Sequence, residues 1–304
     1  MTIRKTPRSK VRRRQALFAY AMLIPSATAL LLFLVWPFIQ GASKAFFKYN
    51  GGNVDIFVGF DNFVRLFSDP LFFLSLRNGL LLTAVWMVQA VVVPLWCAWM
   101  VHHFTSERLK YTFRVLVMLP VMVPTVVVFL LWIQFLATDG AVNRVLEGVG
   151  LGAFTQSWLG DPNTVLVGLL LVGFPWLGGI NCLLYLAAFG NIPKELYEAG
   201  ALDGARAGVL FRKVEYPFVA PQTRIILVIT LVAGLQNYEN VFIMTHGGPA
   251  DASVVPGILL FRNAFAYGQF GYATAIGLAT VAVILLIVGA ALLVRRLVGG
   301  RNAD

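Results

Sequence analysis

Residues 192–221, IPKELYEAGALDGARAGVLFRKVEYPFVAP, are the longest polar interruption in a very apolar sequence. The stretch begins as a helix should, since Pro193 fits a first helical position and Glu195 and Glu198 favour the positive end of the helix dipole. Long apolar segments precede and follow it. We therefore predict a helix in a polar loop, and the side of the membrane on which this loop lies orients the whole chain.

Glycine recurs at every fourth residue of this stretch, at Gly200, Gly204 and Gly208. Each glycine costs about 1 kcal/mol relative to alanine inside a helix. A spacing of four places all three on one face of a continuous helix, beside Ala201 and Ala205. The pattern predicts a narrow helix face pressed closely against something. An ordinary loop helix that packs on its own protein is the alternative interpretation.

The composition is that of a polytopic membrane protein. Of 304 residues, 59% are hydrophobic and 12% are charged, and the mean hydropathy is +0.78. No soluble domain could bury so much apolar surface, and a helix needs roughly 20 apolar residues to span a hydrocarbon core. We predict an all-α fold with six transmembrane helices, near residues 17–40, 78–101, 111–136, 163–189, 218–240 and 270–294.

The distribution of charge orients these segments. The net charge is +10, and most of the 24 Lys and Arg residues lie in the N-terminus, the tail and alternate loops that include residues 192–221. Basic residues concentrate on the cytoplasmic side, so we predict a multi-pass protein of the cell inner (plasma) membrane with both termini in the cytoplasm. Residues 1–16 would be a basic cytoplasmic N-terminus, 17–294 the transmembrane domain and 295–304 a cytoplasmic tail. The basic residues adjoin apolar segments, so no nucleic-acid partner is expected.

Local features refine this picture. Pro120 and Pro124 predict a bend in the third segment. The outer loop 42–77 mixes aromatic and acidic residues, which is typical of a short amphipathic helix on the outer interface; a merely ordered loop is the alternative. The fifth segment ends in polar residues, of which Glu239 is expected at the outer interface, with a position at membrane depth as the alternative. The three histidines are scattered, and no metal site is predicted.

A spaced motif overlaps the glycine pattern. Glu198-Ala199-Gly200, three residues, Gly204, nine residues and then Val214-Glu215-Tyr216-Pro217 closely resembles the EAA loop of binding-protein-dependent ABC importer permeases. The pattern of that family is Glu-Ala-Ala, three residues, Gly, nine residues and Ile-x-Leu-Pro. The departures, at Gly200, Val214 and Tyr216, keep small or apolar character. The segment Thr245 to Pro249, THGGP, resembles the Thr-x-Gly-Gly-Pro of sugar permeases, so the carbohydrate-uptake branch is indicated.

The resemblance implies a type I ABC importer permease fold and a function. The chain would be a non-catalytic permease subunit that translocates a sugar delivered by an extracytoplasmic binding protein. Its partners would be two ATP-binding subunits, which carry ATP and Mg, and a second, different permease; no cofactor is expected on this chain. The sequence has no phosphate-binding Gly-x4-Gly-Lys-Ser/Thr loop of its own. An ion-gradient-driven secondary carrier is the alternative, as is a membrane scaffold or intramembrane enzyme.

The resemblance also points to two groups of site residues and to no catalytic residue. A coupling loop at about 190–217 would insert a coupling helix into the ATPase. Its matching positions are Glu198, Ala199, Gly200, Asp203, Gly204 and Ala205. The substrate contacts carried over from the family are Gly173, Trp176, Leu177 and Ile180 in the fourth segment and Gln236 and Asn237 in the fifth. The four positions of the fourth segment share one helical face, and tight helix packing explains them equally well.

Overall fold

The computed structural model describes residues 8–299, which are mostly helical. Of the predicted cytoplasmic ends, residues 1–7 and 300–304 lie outside the described part. Two strands, β1 (Phe47–Tyr49) and β2 (Asp55–Phe57), pair antiparallel with Lys48 opposite Ile56. The helices in chain order are α1 (Arg8–Leu30), α2 (Trp36–Ser43), α3 (Asp61–Ser68), α4 (Pro70–His102), α5 (Glu107–Met118), α6 (Thr125–Phe135), α7 (Ala141–Gly148), α8 (Val165–Leu171), α9 (Gly179–Gly190), α10 (Lys194–Leu202), α11 (Ala207–Leu210), α12 (Tyr216–Gln236), α13 (Glu239–Met244), α14 (Pro256–Phe261) and α15 (Phe270–Gly299).

Four helices within residues 8–299 are long and apolar enough to cross a membrane. They are Gln15–Phe46, Pro70–His102, Ala207–Gln236 and Phe270–Leu293. These correspond to the first, second, fifth and sixth predicted segments. The second begins earlier than its apolar run, because Asp69 accepts a hydrogen bond from the Leu71 amide at 2.9 Å and so caps the helix.

The third predicted segment is a bent pair of helices. Residues Glu107–Met122 and Thr125–Phe135 meet at an angle of 88°. Pro120 and Pro124 lie at this break, where their missing amide protons and fixed φ angles interrupt the helical hydrogen bonds. The predicted bend is confirmed.

The fourth predicted segment, 163–189, is not one helix. It consists of α8 and α9, which are separated by seven residues without helical structure. Gly173, Trp176 and Gly178 have φ angles of 80°, 53° and 52°, in the left-handed region that ends a right-handed helix. The prediction that Gly173, Trp176, Leu177 and Ile180 share one helical face is therefore wrong, because the first three lie in the break. If the bent pair is one span, the described residues hold up to five candidate crossings.

Side-chain amides repair the backbone defects around this break. Pro94 has no amide proton to donate to the carbonyl of Ala90 within α4. Asn181 of α9 donates its Nδ2 proton to that carbonyl instead, at 3.1 Å. Gln89 of α4 donates in turn to the carbonyl of Leu170 at the end of α8, also at 3.1 Å. Helix α4 and the broken pair α8 and α9 thus each supply a side-chain amide to a backbone carbonyl that lacks its helical donor in the other. A low-dielectric membrane interior requires such carbonyls to be paired.

The loop between the first two spans contains an amphipathic helix, α3. Leu66 faces inward and is buried, while Phe60, Val64 and Phe67 leave an exposed apolar stripe. The amphipathic prediction for this loop is confirmed over the ordered-loop alternative. The position of α3 at the outer interface stays a prediction.

The first span makes little contact with the rest of the chain. Residues 15–41 are all exposed, and only at the end of α2 does the helix meet α15. The packed core is instead built around α4, which contacts α9 and α12.

Candidate functional site

The polar stretch forms two helices rather than one. Helix α10 ends at Leu202 and α11 begins at Ala207. Gly200 lies in α10, Gly204 in the turn and Gly208 in α11, so the prediction that the three glycines share one face of a continuous helix is wrong. The reason lies in the turn, whose geometry stops the first helix.

Gly204 closes α10 with a hydrogen-bonded left-handed turn. Its φ angle is 66°. Its amide donates to the carbonyl of Ala201 at 3.1 Å, and the Ala205 amide donates to that of Gly200 at 2.9 Å. This is the pair of bonds that satisfies the last carbonyls of a helix when glycine follows it. The conformation of the turn, rather than a narrow helix face, explains glycine at this position.

Gly200 is the position where the chain needs a narrow surface. A Cβ atom placed there would lie 2.5 Å from Cδ2 of Leu210. Helix α11 therefore folds back so that Leu210 covers Gly200. Here the contact lies within the protein, as the alternative interpretation of the glycine pattern proposed.

The outer surface of the two helices combines an exposed apolar tip with a groove. Leu202 is 90% exposed, and Leu196 and Val209 are also exposed. A groove of about 610 Å³ runs between α10 and α11. Of the predicted coupling residues, Glu198 lies exposed outside the groove, and the other five line it: Ala199, Gly200, Asp203, Gly204 and Ala205. An exposed apolar surface beside a groove, in a polar loop, is typical of a protein docking site.

A buried carboxylate anchors this loop to the spanning helices. Glu215 is 1% exposed. It accepts hydrogen bonds from Trp99 Nε1 at 2.8 Å and from the Tyr197 hydroxyl at 3.1 Å, and His103 Nε2 lies 3.1 Å from it. Burial and then the Glu215 carboxylate raise the pKa of Tyr197. Glu215 lies within the spaced motif at a position that carries no predicted role, although a lone acidic residue at the start of an apolar segment is a signal for such a partner.

The predicted substrate residues of the fourth segment meet at the helix break. The Trp176 amide donates to the carbonyl of Gly173 at 2.8 Å, and its indole Nε1 donates to that of Val172 at 3.1 Å. The ring of Phe174 meets that of Trp176 edge to face, with centroids 4.9 Å apart. Phe174 is 60% exposed and was not among the predicted residues. The break thus displays two aromatic side chains beside non-helical backbone.

Gln236 and Asn237 lie at a second break, where α12 ends. The Asn237 amide donates to the carbonyl of Gly234 at 3.2 Å, and Gln236 is exposed. Gln236 lines a cavity of about 330 Å³ together with Tyr238 and Phe261. Within residues 8–299 no hydrogen bond joins Gln236 or Asn237 to the four predicted residues near Trp176.

Comparison with known proteins gives one family. The profile of the "Binding-protein-dependent transport system inner membrane component" matches residues 90–299. The chain is 32% identical to the diacetylchitobiose uptake system permease protein NgcF of Streptomyces coelicolor, over 90% of this chain and 81% of the relative. It is 30% identical to the arabinooligosaccharides transport system permease protein AraP of Bacillus subtilis, over 88% of this chain and 85% of that one.

A solved structure agrees with the sequence relatives. The fold matches a chain of a bacterial alginate ABC transporter in complex with an alginate pentasaccharide-bound periplasmic protein. The TM-score is 0.82 at 26% sequence identity, and the match covers 96% of this chain and 98% of the other.

Proposed function

Because the chain belongs to the inner membrane components of binding-protein-dependent transport systems, we propose that it is a permease subunit that imports a carbohydrate, an oligosaccharide or a related sugar. As a permease subunit it is a non-catalytic part of an ABC importer, and ATP is hydrolysed on separate chains. An extracytoplasmic binding protein would deliver the solute. The relatives named for diacetylchitobiose and arabinooligosaccharide uptake support this substrate class.

The observation that carries the proposal is the exposed surface of α10 and α11. Leu202 projects from the end of α10 next to the open groove. We assign this coupling loop to the ATPase, with Leu202 inserted into an apolar cleft and Glu198 available to a basic group at its rim. Leu196, Leu202 and Val209 are exposed in the same two helices, and an exposed apolar patch of this kind favours a protein partner.

The two helix breaks are compatible with a six-helix topology. The bent pair in the third segment and the pair α8 and α9 in the fourth would each cross once, which gives six crossings. The basic residues Lys194, Arg206 and Lys213 support a cytoplasmic position for the coupling loop, and both termini would lie on that side.

The break between α8 and α9 would border the translocation pathway. Backbone without helical hydrogen bonds is tolerated at membrane depth only where protein covers it or water reaches it. Gly173, Phe174 and Pro175 are exposed in this chain, so a water-filled pathway or a second permease must lie against them. Phe174 and Trp176 would stack on the CH groups of a sugar ring, and the amides of Gln236 and Asn237 would bind hydroxyl groups.

The assembly would comprise this chain, a second and different permease, two ATP-binding subunits that hold ATP and Mg, and the binding protein. The exposed first span supports a second permease, because an apolar helix surface of that length is available for packing.

The test is purification of the tagged chain in mild detergent from its native host. We expect ATPase subunits and a second permease to co-elute, and ATP hydrolysis to rise with one sugar-loaded binding protein, which also identifies the solute. A chain that elutes alone and moves solute into vesicles without ATP would instead be an ion-driven carrier.

A further inference from the structure

We propose that Glu215 is the positioning residue that fixes the coupling helix α10 to the spanning helix α4. Through it, a displacement imposed on α10 would be transmitted to the end of α4 and the start of α12. The direction of this transmission rests on the proposed function, whereas the attachment itself does not. The resemblance does not imply this role, because the family pattern Ile-x-Leu-Pro leaves the position of Glu215 open.

Helix α10 packs on α11 through Gly200 and Leu210, but it makes few contacts with the spanning helix α4. None of its residues is buried. Tyr197 and Gly200 are half-buried, and the Tyr197 ring packs against the apolar cluster at the end of α4. The Tyr197 hydroxyl donates to Glu215 Oε1 at 3.1 Å and lies 3.3 Å from His102 Nε2. The hydroxyl can therefore accept from His102 while it donates to Glu215, which links α10 to both neighbours at once.

The other bonds to Glu215 come from α4. Trp99 Nε1 donates to Oε2 at 2.8 Å, and His103 Nε2 lies 3.1 Å from Oε1. His103 Nδ1 is also 2.9 Å from the carbonyl of Trp99. Both ring nitrogens of His103 thus lie within hydrogen-bonding distance of acceptor oxygens. Glu215 is then a carboxylate with three donors from two helices besides its own.

Aromatic packing fixes the direction from which Glu215 approaches. Phe211 lies one helical turn before it, stacks on Trp96 at 5.5 Å between centroids and meets Trp99 edge to face at 6.1 Å. A buried carboxylate that loses its donors is strongly destabilised, because neither water nor another charge replaces them. The cluster therefore resists separation of α10, α4 and α12 and keeps them together as one body.

The test compares the assembled transporter carrying Glu215→Gln with the same complex carrying Glu147→Gln. Glu147 is an exposed glutamate of α7, so its substitution makes the same chemical change away from the cluster. Hydrogen exchange followed by mass spectrometry would report on the amides of α10, and reconstituted vesicles would give the solute moved per ATP hydrolysed. Tyr197→Phe is a milder second variant that leaves the Trp99 and His103 contacts in place.

In Glu215→Gln we expect the α10 amides to exchange about tenfold faster, equivalent to about 1.4 kcal/mol of local stability. Solute moved per ATP should fall several-fold while the subunits still co-purify. Tyr197→Phe should change both quantities in the same direction but less, and Glu147→Gln neither. Unchanged exchange in α10 for both cluster variants would overturn the proposal. The proposed function would fail separately, if the wild-type chain bound no ATP-hydrolysing subunit.

Discussion

Gly204 is the residue of the proposed coupling loop whose substitution has the most direct effect on the backbone. Its φ angle of 66° places it in the left-handed region. No atom lies within 4 Å of a Cβ built there, so added volume meets nothing inside this chain. Backbone strain is therefore the whole intramolecular cost of Gly204→Ala, and it amounts to roughly 1–2 kcal/mol.

That cost acts on an exposed turn with few other contacts. A penalty of about 1.4 kcal/mol lowers the population of the turn relative to competing loop conformations about tenfold. We expect the Gly204→Ala complex to assemble, to hydrolyse ATP at the basal rate and to lose most of the stimulation by loaded binding protein. The assay is ATP hydrolysis and solute uptake in vesicles at matched protein content.

Gly204→Asn is the matched control, because asparagine adopts the left-handed conformation more readily than alanine although its side chain is larger. If the turn conformation is what matters, Asn retains more coupling than Ala. Equal losses in both variants would refute the argument from strain and indicate that the ATPase packs directly on Gly204. Full activity in both would show that the turn does not contribute to coupling.

Three further predictions concern single contacts. Leu202→Ala should reduce co-purification of the ATPase subunits, since a buried leucine contributes about 1.5–3 kcal/mol. Leu202→Met should retain co-purification. Equal recovery of ATPase subunits with Leu202→Ala and with the unchanged chain in a pull-down would contradict the insertion of this side chain. Trp176→Ala should raise the solute concentration for half-maximal uptake about tenfold without change in basal ATP hydrolysis. Trp176→Phe should raise that concentration less. Identical uptake curves for Trp176→Ala and the unchanged chain would exclude a stacking role. Gly200→Ala should lower the thermal stability of the loop slightly because the Leu210 side chain must shift. Adding Leu210→Ala to the same chain should remove this clash. Strictly additive effects of the two substitutions on unfolding would contradict the contact.

Much of the fold could be predicted because the hydropathy of a segment indicates whether it is long and apolar enough to cross a membrane. Four spans could be predicted from long, mostly apolar runs of sequence. Pro120 and Pro124 predict the bend in the third segment. The resemblance to carbohydrate-uptake ABC permeases, identified from residues 198–217, is confirmed by the family match and by relatives over most of the chain. A motif with several residues at fixed spacing in a polar loop is informative because few unrelated sequences match it by chance.

Two of the errors share one physical cause, which is that composition does not specify backbone dihedral angles. The fourth segment is as apolar as a helix, yet Gly173 and Gly178 adopt positive φ angles there and the helix breaks. The glycine repeat was interpreted as a face of one helix, although Gly204 ends that helix. Glu215 was missed for another reason: its donors, Trp99 and Tyr197, are 116 and 18 residues away in sequence. Only the fold brings them together.

The exposure of the first span has a consequence for the evolution of this subunit. Lipid solvates an apolar helix as well as protein does, so residues 15–41 lose nothing by facing the bilayer when the chain is alone. The final position of this helix is then determined in the assembled complex and not in the isolated polypeptide. If the proposed second permease covers this helix, the substitutions that the helix tolerates should depend on the surface of that partner, and the two sequences should co-evolve.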